Sequence, residues 1–592
     1  MTTMKKYILM LFAGLTLVSC MDTIILPDDK TVDEDFWKSK EDIAMMVNGA
    51  YAAMTTNDVL ERLIVWGDFR TDEVNRNNSV TDISTQTQSL DEIAAVNIQT
   101  TNAYATWSAF YEVINRCNIV LTRAGEVLGV DPNYTDGDYQ VDRSQMLALR
   151  ALCYFYLVRN FRDVPYYTEA FMTSSQATDI PQSSPAYIIG QCISDLEGCV
   201  STSMSSRSFN DWRRVGWFTT DGINALLADL YLWRASVMHS AADYQSCIDI
   251  CDRIIESKKS QHARKRTETT EAEYPLAEAE DMYYDLFVKQ NAEESIFELQ
   301  CRSNLPVCQY YWKYKSATGS AGMGWFKATT LFGGTASIYN TETSVSNNNL
   351  YSATDLRYYA ACYLPTSSED SYDIRKIFSE NRVIDKTATK KREEYAYGGM
   401  DRNYIIYRLT DVMLMKAEAL VQQAADIPEG ATDEEKESIN ASNASVLRPA
   451  FNMIQAVNTR ALYRDDKGDS LKWNAFKGLS KLEFERLILQ ERLREFCFEG
   501  RRWYDLLRYN YRHVEGTDYN SILADQGALV KIYDDMLELM TRKRGTEASG
   551  VKAKMQNEAY LYLPIPNRDI QISPQLRQNP VYGSTNEYEK NY

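Results

Sequence analysis

Apolar residues recur at three- and four-residue steps through much of this chain, and that spacing confines it to packed helices more tightly than any other feature. Between 104 and 128, Trp107, Phe110, Tyr111, Ile114, Cys117, Leu121, Ala124 and Leu128 fall on one stripe, which must be buried against a partner. The segment near 142–160 is the expected partner. Ile223, Leu226, Leu227, Leu230 and Tyr231 repeat the pattern within 219–236, and after a short break Tyr244, Ile248, Cys251 and Ile255 mark a second helix. A pair of this length matches a tetratricopeptide (TPR) unit, whose stacked copies bury a continuous core. A third pair is expected from Leu409, Val412, Met413, Ala417, Leu420 and Val421 and, past an acidic loop, from Phe451, Ile454 and Val457. The repeats are degenerate, so the scaffold is read as TPR-like rather than as a regular array.

Residues 258–400 break the pattern. They are rich in Tyr, Ser, Thr, Asn and Gly, with short apolar runs such as Ser295 to Leu299, and read as long loops with occasional strands. Tyr560 to Pro566 reads as one strand ended by prolines.

The start of the chain reads as an export signal. Lys5 and Lys6 precede an apolar run from Tyr7 to Leu17, and Leu17-Val18-Ser19-Cys20 has the form of a lipobox. The run is too short to span a bilayer. Residues 1–19 are therefore expected to be removed, leaving acyl chains on Cys20 as the membrane tether; more than one chain is needed for stable anchoring. The alternative is an ordinary secretory signal with an incidental cysteine.

Lys and Arg number 64 against 82 Asp and Glu, a net charge of −18 that becomes −20 without residues 1–19. Phosphate backbones need a basic face, and short runs such as Arg264-Lys265-Arg266 do not make one, so nucleic acid is excluded as a partner. Cys247/Cys251 and Cys192/Cys199 share helical faces without bridging geometry and read as small buried apolar residues. With only His239, His262 and His513 and no metal-binding spacing, neither a metal centre nor a cofactor is expected.

Several segments in order point to one family. Arg150-Ala151-Leu152-Cys153-Tyr154-Phe155-Tyr156-Leu157-Val158-Arg159 with Asp163-Val164-Pro165, then Tyr407 to Ala419, then Glu491 to Arg508, and finally Leu563-Pro564-Ile565-Pro566 with Gln578-Asn579-Pro580 together resemble the SusD/RagB-like lipoproteins. The resemblance implies a mainly α, SusD-like fold in one domain, 20–592. Residues 20–257 and 401–592 would form the helical scaffold and 258–400 the loop-rich ligand face, with a few short strands. It also implies a non-enzymatic, cell-surface, outer-membrane protein that binds oligosaccharide and delivers it to a SusC-like TonB-dependent transporter. Peptide capture, as in RagB-like members, is the main alternative. A surface glycoside hydrolase is a further one, which would need two carboxylates across a cleft.

Within Glu491–Arg508, charges at helical neighbour distances (Glu491 with Arg494, Glu499 with Arg502, Arg501 with Asp505) are expected to form an ion network fixing two helices around Gly500. Lys416 and Glu418 read as helix-surface charges. Sugar binding needs aromatic faces with Asn, Asp, Arg or Gln at the hydroxyls, and two regions offer both. The first, a helix exit into a polar loop, contains Trp66, Arg70, Asp72, Asn75, Arg76 and Asn77. The second contains Tyr310, Trp312 and Trp325. Trp325, between glycines and Phe326, is the leading stacking candidate and is expected to be exposed. Trp66 ends an apolar run and suits either core or site, Tyr310 and Trp312 suit either a site or the buried face of a strand, and Trp107 belongs to the core. The polar residues of the first region also fit a merely solvated loop.

Overall fold

The computed structural model describes residues 36–77, 83–173, 176, 179–263, 274–279, 281–301, short stretches between 305 and 377, and 401–583 apart from 463, 528 and 544–547. The lipobox, Cys20 and Trp312 lie outside the described residues.

Helix α1 (Lys40–Ala53) opens on a reciprocal cap between Ser39 and Asp42. α2 (Asn57–Ile64) runs straight into a wider π-helical turn, Val65–Phe69. Gly67 allows that turn to press on Gly500, whose backbone any β-carbon at 67 would overlap. β1 (Val74–Arg76) and α3 (Thr85–Ala94) follow. α4 (Ser108–Val127) packs on α1 and on α5 (Asp136–Phe161), which starts at a Thr135–Asp138 capping box. Of the expected stripe, Trp107, Phe110, Ile114, Cys117 and Ala124 are buried, while Tyr111, Leu121 and Leu128 form its half-buried margin.

β2 (Val164–Pro165) and β3 (Gln182–Ser183) pair, and α6 (Pro185–Glu197) then packs on α5. The short α7 (Arg213–Gly216) leads to the hairpin of α8 (Thr220–Met238) and α9 (Ala241–Ala263). His239, in the left-handed region at φ 52°, reverses the chain between them. α9 continues past the expected boundary at 258.

In the loop-rich region lie β4 (Ser295–Leu299), α10 (Leu305–Tyr311), β5 (Tyr314–Lys315), β6 (Ala321–Gly322), β7 (Phe326–Ala328), β8 (Cys362–Tyr363) and β9 (Asp373–Ile374). β10 (Tyr404–Arg408) runs directly into α11 (Leu409–Val421), followed by α12 (Asp433–Ala461), α13 (Lys481–Phe496) and α14 (Arg502–Arg512). Among the described residues the strands form antiparallel pairs only: β1–β7, β2–β3, β4–β10, β5–β6 and β8–β9. α9 packs on α11 and α11 on α12, which continues the helical stack, while α14 crosses α8 and α13. This is the mainly α, TPR-like architecture. One cluster of buried apolar side chains extends from Trp37 to Leu576.

Two expectations are corrected. Tyr560–Pro566 is not a strand: its first two residues close a 3₁₀ turn, Glu558–Leu561, and the rest is extended without a ladder. Its amides bond elsewhere, Leu563 N–H to the Asn160 carbonyl (2.8 Å) and Ile565 N–H to Gln578 Oε1 (2.9 Å), so the extended, proline-ended segment docks on a helix end instead of a ladder. Glu418 is not a surface charge but is buried beside Arg508 and Arg512. Cys117, Cys153, Cys192, Cys199, Cys247, Cys251, Cys301 and Cys497 behave as small core residues: Cys247 and Cys251 Sγ lie 4.0 Å apart with no disulfide between them, and burial pushes the thiols of Cys117 and Cys192 up to about 12.

Candidate functional site

The two regions singled out for sugar contact meet. β1 and β7 pair antiparallel with Val74 opposite Ala328, Asn75 opposite Lys327 and Arg76 opposite Phe326. Asn77 extends the junction, its N–H donating to the Trp325 carbonyl (2.8 Å) and its Nδ2 to the Gly324 carbonyl (3.0 Å). Side chains alternate across a strand, so Asn75 and Lys327 are cross-strand neighbours on the outer face, both half-buried. Arg76, also half-buried, reaches Asp91 at 3.6 Å. Lys327 and Asp91 were not anticipated, because their place depends on the pairing.

Beneath this face lies an aromatic layer. Tyr310 meets Trp325 edge-on (5.2 Å, 83°), Phe69 stacks on Phe326 (4.7 Å, 15°), and Tyr311 meets Phe326 at 5.8 Å. Trp325 is only 8 % exposed and Tyr310 is fully buried, with its hydroxyl 2.6 Å from that of Tyr104. The expected exposed ring at Trp325 is thus corrected: strand pairing with a segment about 250 residues earlier closes what reads locally as an open glycine-rich loop. Trp66 is a core ring, stacked on Phe110 at 5.1 Å with its Nε1 donating to the Tyr104 carbonyl (2.9 Å).

Arg70 and Asp72 point inward. Arg70 lies over the Trp503 ring (3.8 Å) and donates to the Leu561 carbonyl (2.6 Å). Asp72 receives both arms of Arg502 (2.9 and 3.1 Å) and a bond from Arg542. Burial alone would raise its pKa, but the two guanidiniums outweigh it and hold Asp72 at about 2. Asp68 is the opposite case. Burial pushes it up to about 6 despite hydrogen bonds from Tyr311 and from the Gly500 N–H (2.9 Å), and burial raises Glu73 beside it well above the usual range. Neither carboxyl reaches solvent. Among the described residues no group of three His, Cys, Asp or Glu is placed to hold a metal ion.

Two family models match this chain: one described as the SusD family over residues 310–582, the other as "Starch-binding associating with outer membrane" over 26–209. The chain belongs to the SusD/RagB-like family. The SusD-like proteins P38 and P2 of Formosa agariphila are 26 % and 24 % identical, over 83 % and 85 % of this chain and 88 % and 91 % of their own. Among solved structures, a SusD homolog from Bacteroides thetaiotaomicron superposes with a TM-score of 0.64 at 17 % identity, covering 93 % of this chain and 99 % of that one. Surface glycan-binding protein A from Bacteroides uniformis gives 0.58 at 17 % identity, covering 92 % and 100 %.

Two of the segments that carry the SusD resemblance, Tyr407 to Ala419 and Glu491 to Arg508, meet in a buried ion network. Glu491 pairs with Arg494 (2.8 Å) as its spacing predicts, and also with Arg357 (2.8 Å). The other two expected pairs are replaced by partners distant in sequence: Glu499 binds Arg408 and Lys376, Arg501 binds Asp411, and Arg502 binds Asp72. Asp505 takes Arg492 (2.8 Å) and Arg508 (2.7 Å), and Arg508 also holds Glu418 (2.8 Å). These bonds tie β10, α11, α13 and α14 together and anchor the segment that leads into β1. Gly500, at φ +72° and packed against Tyr404, is the turn that admits them. Among the described residues no helix is long and apolar enough to cross a membrane.

Proposed function

We propose that this SusD-like protein is a surface lipoprotein, tethered through Cys20, that captures oligosaccharide and passes it to a SusC-like TonB-dependent transporter. The β1–β7 junction carries the reading: it sets the carboxamide of Asn75 and the ammonium of Lys327 side by side on its outer face over a rigid aromatic layer, with the guanidinium of Arg76 at the edge of the junction beside Asp91. Sugar hydroxyls are bound by such convergent polar groups when the support beneath them is preorganised. The buried layer makes Trp66, Tyr310 and Trp325 supports for that face, and Arg70 and Asp72 the bonds that fix its approach strand. The raised carboxyls beside this junction, Asp68 and Glu73, are buried against Phe498 and Gly500 and not placed across a cleft, which favours binding over hydrolysis at this face.

A glycan and peptide array on the chain lacking residues 1–20 tests this. Glycan retention that falls in the Asn75→Ala/Arg76→Ala double variant is expected. Retention of peptides alone would replace the ligand class, and new reducing ends would replace binding by catalysis. Cys20→Ala should move the protein from the membrane to the soluble fraction, since the polar mature chain has no second membrane signal.

A further inference from the structure

A second group of rings stands open on another part of the fold. Just before α8, Trp212 is 44 % exposed, and Phe209 and Trp217 are half-buried beside it. Trp217 meets Trp212 edge-on (6.2 Å, 84°) and Phe209 likewise (5.6 Å, 88°). The Arg213 guanidinium lies over Phe209 (5.0 Å) and Trp217 (5.7 Å) and is held there by both oxygens of Asp211, at 2.7–3.0 Å. Single exposed apolar residues are ordinary on any surface. Three rings locked together by edge contacts and a clamped guanidinium form a fixed platform.

Gly216 shows how closely the platform is fitted. A β-carbon there would come within 2.6 Å of Trp212 Cε3 and 2.7 Å of Gln300 Cγ. The six-membered ring of Trp212 therefore lies against bare backbone, with Gln300 reaching the same glycine. Gln300 belongs to a chain of carboxamides, donating to Asn291 Oδ1 (2.9 Å) and accepting from Asn403 Nδ2 (3.2 Å), while Arg214 donates to the Asn291 carbonyl. An open indole beside fixed carboxamides matches a pyranose: its C–H face lies on the ring and its hydroxyls meet amide donors and acceptors. A stable protein interface would instead need about 800 Å² per partner around an apolar centre. Here the rings are bordered at once by Asp211, Arg213 and the carboxamides.

We propose that Trp212, with Gln300 at its side, is a carbohydrate-stacking subsite separate from the β1–β7 face. The proposal rests on the glycan-binding reading above and adds a second contact for an extended chain, so that two modest subsites joined by one polysaccharide act with higher combined avidity.

The test uses the chain lacking residues 1–20, titrated with neutral hexose and pentose oligomers and with their parent polysaccharides, and followed by tryptophan fluorescence and calorimetry. Trp212→Ala should weaken polysaccharide binding by about 2- to 12-fold, the range expected from one lost aromatic contact, with an unchanged melting temperature. Trp212→Phe should retain part of the affinity. Gly216→Ala, which leaves the indole present but displaced, should also weaken binding, and it tests the geometry independently of ring loss. If the parent protein binds glycan and all three variants bind equally well, the subsite is overturned while the β1–β7 reading stands. Absence of glycan binding by the parent protein overturns both. Unchanged glycan affinity with lost transporter co-purification would make Trp212 a protein contact and overturn the subsite.

Discussion

The layer under the β1–β7 junction and the platform at Trp212 are built from the same residue types and end in opposite states. Trp325 follows Gly322 and Gly324 in a polar stretch, yet is 8 % exposed; Trp212 lies in an equally polar stretch and is 44 % exposed. The difference is what covers each ring. Trp325 is closed over by β1 and the residue that follows it, Asn77, which bonds both Trp325 and Gly324, and is braced by Tyr310. Trp212 is pressed on one side against Gly216 of its own helix, a local contact that positions the ring without burying it. Local flanking residues therefore say little about exposure when the cover is a strand from elsewhere in the chain.

That contrast breaks most readily at Trp66, the deepest ring of the first region. Trp66→Ala should cost about 3–5 kcal/mol in denaturant unfolding, because it removes a fully buried indole and leaves a cavity. Trp325→Ala should cost about 3 kcal/mol, at the low end of that range because the ring sits at the edge of the layer. A loss near zero at either position would mean that the layer is not core.

A pH titration sharpens the comparison through Asp68, which accepts from Tyr311 of the same layer. Its folded pKa of about 6 lies above the ordinary 3.8, so between about pH 4 and 6 the folded state holds a proton that the unfolded state has released. The contribution of this group to stability should be highest below about pH 4, fall as pH rises to 6 and then level, by up to about 3 kcal/mol. Asp68→Asn should flatten that fall, leaving the part due to Glu73; an unaltered profile would remove Asp68 from the account. Asp72 acts in the other sense. Held at about 2 by Arg502 and Arg542, it contributes stability that is present above about pH 4 and is lost as pH falls toward 2. The smallest effect is expected at the platform. Trp212→Ala should change stability by less than about 0.5 kcal/mol, as for other exposed positions, and a loss comparable to that of Trp66→Ala would erase the distinction between the two regions.

Much of the scaffold was legible in the sequence. The stripe from Phe110 to Ala124 and the α8–α9 hairpin follow from spacing, since a helix repeats every 3.6 residues and a face that is apolar at that period has to be covered. The motif from Glu491 to Arg508 was legible as an ion network, but of its three local pairs only Glu491–Arg494 forms. Charges on one helix find each other by spacing only when nothing better is near. In a buried setting Arg502 gains more from Asp72, which the fold delivers in bidentate, enclosed geometry, and Arg501 turns to the buried Asp411. Glu418 was misread for the same reason, because its partners Arg508 and Arg512 arrive from another helix.

By itself the sequence determined the helical pairs, the inert cysteines and the SusD/RagB-like family, all of which rest on periodicity, residue type and ordered local segments. Only the tertiary structure decided which rings face solvent, that regions near 75 and 326 form one junction, and where each buried charge finds its counter-ion. Those are contacts between residues hundreds of positions apart, set by how helices and strands pack, and no local window of the chain contains them.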